Sequence, residues 1–101
     1  MNEMSLEQQI SCMQEMRSKL ADFCGIMRRV MDEFQNDIKY LRSQGLSTEK
    51  EEQYQKGYYL PANDEVEHVI SDIQHKHFDY IDRVIERLQK ALNEQEIFFD
   101  S

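Results

Sequence analysis

The stretch SLEQQISCMQEMRSKLADFCGIMRRVMDEFQNDIKYLRS, residues 5–43, decides the fold. Leu6, Met13, Leu20, Met27, Phe34 and Leu41 recur every seven residues. Ile10, Cys24, Met31 and Ile38 form a second row, broken only by Arg17. Met16, Phe23 and Val30 widen the stripe. Apolar residues at this spacing mark an amphipathic helix, and a stripe this wide marks one packed on more than one neighbour. No proline interrupts the run, so the spacing predicts a single helix over about 5–43. Ser43-Gln44-Gly45 ends it, because glycine accepts the left-handed conformation found just past helix C-termini.

Beyond this stop, Thr48 and Glu51 have capping-box spacing and predict a short helix over about 48–56, stopped by Gly57. Residues 57–63, which include Tyr58-Tyr59-Leu60-Pro61-Ala62, read as a connector, because Pro61 disfavours helical geometry at Leu60. Asp64 with Glu67 forms a second capping box and opens a helix over about 64–95. Val66, Ile70, Ile73, His77, Ile81, Val84, Leu88 and Leu92 run down one side of it. The acidic tail 96–101 is expected to fray. The expected architecture is therefore all-α: one domain over 1–101, a long antiparallel helical hairpin with a short connecting helix. Each stripe covers close to half of its helix, more than one partner helix needs, so a second chain is expected to complete a four-helix bundle. Phe23, Val30, Phe34, Ile73, His77, Val84 and Leu88 are the expected core and interface residues.

Composition narrows the function classes. Among 101 residues, 12 Lys and Arg face 20 Asp and Glu, a formal charge of −8, which argues against nucleic acid as the partner. No run of about eighteen apolar residues predicts a membrane span. No basic-then-apolar leader is visible, so the expected location is the cytoplasm, or outside the cell without a cleaved signal peptide. Cys12 and Cys24 lie twelve residues apart on one helix, roughly 18 Å along its axis, too far to pair with each other. They read as reduced thiols packed like small hydrophobes, with an intermolecular disulfide across a dimer as the alternative.

No nucleophile framework, phosphate-cradling glycine loop or catalytic carboxylate pair stands out, so no enzymatic role and no cofactor are expected. His68, Asp72, His75 and Asp79 have the i, i+4, i+7, i+11 spacing of one helix face and the chemistry of metal ligands. That face lies opposite the apolar stripe, so it reads as solvated, with no metal expected. Arg83 and Arg87 have Asp79 and Glu86 within reach and read as intrahelical ion pairs. Phe78 and Asp82 sit one turn apart at the edge of the apolar face. Together they form an apolar-and-charged handle that a receptor groove is able to grip.

With that Phe-x-x-x-Asp pattern in place, the chain resembles the WXG-like small proteins of type VII secretion, especially the small helical partners of LXG toxins. The likeness covers the whole chain as architecture. The turn Leu41-Arg42-Ser43-Gln44-Gly45 carries no Trp-x-Gly, and the connector is longer than the usual turn. The resemblance implies that Phe78 and Asp82 belong to a composite export signal and that the stripes bind a toxin's helical targeting domain. The expected function is thus a non-enzymatic helical adaptor. The alternatives are a homodimeric four-helix-bundle regulator, such as an inhibitor or antitoxin, and a metal or cofactor bundle enzyme.

Overall fold

The structure, a computed structural model, describes residues 3–100, and the side chains of 3–96. It is all-α. Helix α1 spans Leu6–Ser43, and α2 spans Thr48–Tyr54. A π turn at Gln55–Tyr59 leads directly into α3, Leu60–Asp72; a second π turn at Ile73–His77 leads into α4, Phe78–Asp100. The first helix matches its expected bounds. Ser5 caps it: the Gln8 backbone N–H donates to Ser5 Oγ at 3.1 Å, and Gln8 Oε1 accepts from the Ser5 N–H at 2.9 Å. This reciprocal pair is a capping box.

The end of α1 follows from Gly45, whose φ of 110° is the left-handed conformation. The Leu46 N–H reaches back to the Leu41 carbonyl at 3.0 Å, and the Gly45 N–H to that of Arg42 at 3.2 Å. These six-to-one and five-to-two bonds satisfy carbonyls that the helix end would otherwise leave open. They also bring the side chain of residue 46 back over residue 41. Ser47, not Thr48, caps α2, its side chain accepting from the Lys50 N–H.

The expected non-helical connector 57–63 does not occur, and no new helix begins at Asp64, which lies inside α3. Leu60 is helical, with φ −62° and ψ −44°, and its N–H bonds to the Gln55 carbonyl five residues back. The wider turn shifts the hydrogen-bond register just ahead of Pro61. That wider turn lies where the α-helical bond of Pro61 would be missing in any case. Gly57 keeps an ordinary helical backbone instead of stopping the helix. The tail expected to fray from 96 is helical through Asp100, and Ser101 lies outside the described residues.

Contacts divide the chain into two compact units, Phe23–Asp72 and the pairing of Met1–Asp22 with Ile73–Ser101. In Phe23–Asp72, α1 folds against α2 and α3 as an antiparallel hairpin around the Gly45 turn. Arg28 faces Glu67, Gln55 Nε2 donates to Gln35 Oε1 at 2.6 Å, and Arg42 faces Glu51 at 3.1 Å. Cys24, Ile38, Tyr59 and Ile70 are buried there, Ile70 completely. Phe34 stacks on Tyr59, centroid to centroid 5.5 Å, and tilts against Tyr54 at 5.8 Å; Tyr54 in turn meets Tyr58 at 5.3 Å. In the other unit, Ile10, Ile73 and Ile81 are buried.

The second π turn explains which residues of α4 face inward. It inserts one residue relative to α-helical spacing, so every later position rotates by about 100°. Phe78, Ile81, Ile85, Leu88 and Leu92 are buried or half-buried, whereas His77 is exposed. His77 was expected inside the stripe; the extra residue turns it out and brings Phe78 in. The other core expectations divide. Ile73 is buried, and Phe34, Val84 and Leu88 are half-buried, but Phe23 and Val30 are exposed on this chain. Cys24 is buried as expected, while Cys12 is exposed; both are free thiols. No helix among the described residues is long and apolar enough to cross a membrane.

Candidate functional site

Phe78 and Asp82 of α4 are joined by Arg17 of α1. Arg17 breaks the second apolar row of α1, and its guanidinium lies against both Phe78 and Asp82. Arg17 Nε donates to Asp82 Oδ1 at 2.8 Å, and an Nη donates to Oδ2 at 3.4 Å. The Arg17 Cζ lies 4.3 Å from the centroid of the Phe78 ring. Phe78 is half-buried, and the Arg17 and Asp82 side chains keep 42% and 53% of their surface. The planar guanidinium suits both contacts: its edge matches a carboxylate and its face matches an aromatic ring. Each contact is solvent-exposed, worth roughly 0–1 kcal/mol. The carboxylate half of the expected handle is thus already engaged within the chain.

A legible signal existed for Arg17. A lone cation in an otherwise apolar row needs a counter-charge at the facing rim, and Asp82 is the acid at that rim. What the sequence does not show is which residues face each other across the pair.

The same unit carries an apolar groove lined by Met16, Leu20, Lys76, His77, Tyr80 and Ile81. Its walls, Met16 and Tyr80, are exposed. In Phe23–Asp72, three large apolar side chains of α1 lie on one face at i, i+3 and i+7: Phe23 is 43% exposed, Ile26 48% and Val30 50%. Residues of this kind are ordinarily buried, and a contiguous exposed group marks an interaction surface more than scattered ones do.

The row of potential metal ligands, read as a solvated face, is largely exposed. His68, His75 and Asp79 are exposed and Asp72 is half-buried. Among the described residues, no group of three or more His, Cys, Asp or Glu is placed to hold a metal ion. Arg83 pairs with Asp79 at 3.2 Å, one helical turn back. The clearest pKa displacements belong to an exposed pair in unit Phe23–Asp72. Lys56 Nζ donates to Glu52 Oε1 at 2.7 Å; this bond, aided by Coulomb attraction, lowers the Glu52 pKa and raises that of Lys56.

Set against known proteins, the chain matches no family model, no curated protein and no solved structure.

Proposed function

We propose that the chain is a non-enzymatic helical partner protein that completes its core against another helical chain. The observation that carries this reading is the exposed row Phe23, Ile26 and Val30. Covering the exposed part, about half of each side chain, contributes roughly 1 kcal/mol each toward association. The test is association with and without Val30→Glu, which places a charge in the row. Native mass spectrometry of the chain purified after co-expression with its helical partner should show a stoichiometric complex that Val30→Glu removes, while circular dichroism stays unchanged. A complex equally abundant with Val30→Glu would refute the reading.

The finer proposal is that this partner is a toxin destined for type VII secretion, with Phe78 and Asp82 in the export signal. Its support is the sequence resemblance. The contact with Arg17 supplies a discriminating control. If Asp82 is read by the export machinery, Asp82→Ala blocks export of the partner and Arg17→Ala does not. If the pair only braces the fold, the two variants behave alike. A homodimer that captures no other chain would instead favour the regulatory four-helix bundle.

A further inference from the structure

The turn end of Phe23–Asp72 holds a second feature that the partner row does not use. Phe34, Asp37, Ile38, Leu41, Leu46 and Tyr54 line a cavity of about 140 Å³. Its origin is local. The Gly45 turn folds Leu46 back toward Leu41, Ile38 and Phe34 stand one and two turns earlier on α1, and Tyr54 closes the side from α2. The adjoining segment is the first π turn, whose Tyr59 stacks on Phe34 and whose exposed Tyr58 leans on Tyr54. Single π turns inside helices occur often at functional sites.

Size and charge define the occupant. A cavity of about 150 Å³ lined by Leu, Ile and Phe holds one benzene ring. The wall here is leucine, isoleucine and aromatic, with one charged group, Asp37. That carboxylate is exposed and has no ion-pair or hydrogen-bond partner among the described residues. An unpaired acid at an apolar mouth, in a chain of net charge −8, favours a cation beside the ring.

We infer that this cavity receives an aromatic side chain, flanked by lysine or arginine, from a partner protein. The inference rests on the partner-protein reading and adds the chemistry of the anchor. Interface hot spots are enriched in aromatic residues and arginine seated in well-packed pockets.

The probe is a helical peptide of roughly fifteen residues with one central Phe and a Lys one turn to either side, titrated into the full-length, isotope-labelled chain up to about 1 mM. Amide shifts should saturate at Leu41, Leu46 and Tyr54. Replacing the peptide's Phe with Ala should weaken binding by about tenfold or more, and replacing its Lys residues with Glu by about threefold or more. Asp37→Asn should erase the difference between the Lys and Glu peptides. Leu46→Trp should fill the cavity and abolish binding; should that variant not fold, Leu41→Trp at the exposed rim does the same. Equal binding of the Phe and Ala peptides, absence of any saturable shift, or unchanged binding to a folded filled variant each overturns the inference. Shifts at these residues on raising the chain's concentration without peptide would assign the cavity to a second copy and overturn it equally. The partner-protein reading fails on a different result, association insensitive to Val30→Glu, so the two failures are distinct.

Discussion

Ile70 is the most consequential side chain for stability, since it is fully buried. Truncating such a residue removes transfer energy and leaves a cavity, so Ile70→Ala should cost about 2–5 kcal/mol. Denaturant melts should show the midpoint falling steeply, with the slope unchanged. Arg17 is the opposite case. Arg17→Ala and Asp82→Ala should each cost only about 0–1 kcal/mol, and their combination should cost little more than either alone. A double-mutant cycle read by thermal melts checks this. The two thiols give a third readout. Cys12 is exposed and should react with a thiol reagent in the folded state, whereas Cys24 should react only on unfolding. Equal rates at both would mean that the α1 phase is wrong. Glu52 and Lys56 set a modest pH window. The lowered pKa of Glu52 means that its contribution is present above the ordinary carboxylate range and is lost as pH falls through the lowered value. The raised pKa of Lys56 means that its contribution is lost only as pH rises through the raised value.

At the level of elements, α1 was legible because its evidence is periodic and uninterrupted, and its end because Gly45 has a single conformational use there. The second helix was legible in kind but not in continuity. Pro61 and Gly57 signal a break only if the hydrogen-bond register is α-helical throughout, and the π turn alters that register just before the proline. The same limitation hid only the residues at the second π turn, since Ile81, Val84, Leu88 and Leu92 face inward as the spacing predicts. Periodicity alone gives Ile73 and Ile81 no marker for an added residue between them, so His77 was placed inside and Phe78 at the rim. The candidate handle was visible as two residues; its third member lies 65 positions away in sequence and depends on helix facing. Deletion tests the π-turn account. Removing Gln74 should convert the second π turn to α-helix and leave Phe78, Ile81 and Leu88 on their faces, with a small loss of stability. Removing Glu86, inside regular helix, should rotate Leu88 and Leu92 by about 100° and cost about 2–4 kcal/mol. Circular dichroism melts of the two deletions should rank them in that order.

For the molecule as a whole, sequence separation ranks the order of assembly. The Gln35–Gln55 contact closes a loop of 20 residues, whereas Arg17–Asp82 closes one of 65. By chain entropy alone the longer closure costs about 1 kcal/mol more. The turn held by Gly45 lies inside Phe23–Asp72, so that unit has the shorter closures and the aromatic cluster as early contacts. Amide hydrogen exchange should accordingly be slowest around Ile38, Tyr59 and Ile70 and faster around Ile10 and Ile81. Gly45→Ala, which forces a side chain into φ 110°, should slow folding as well as lower stability, because it strains the reversal about which α1 and α2 meet. During synthesis, the ribosome would release that reversal, and the helical arm that pairs across it, before the residues that clasp Arg17 emerge. Phe23–Asp72 can then settle while Ile73–Ser101 is still being made.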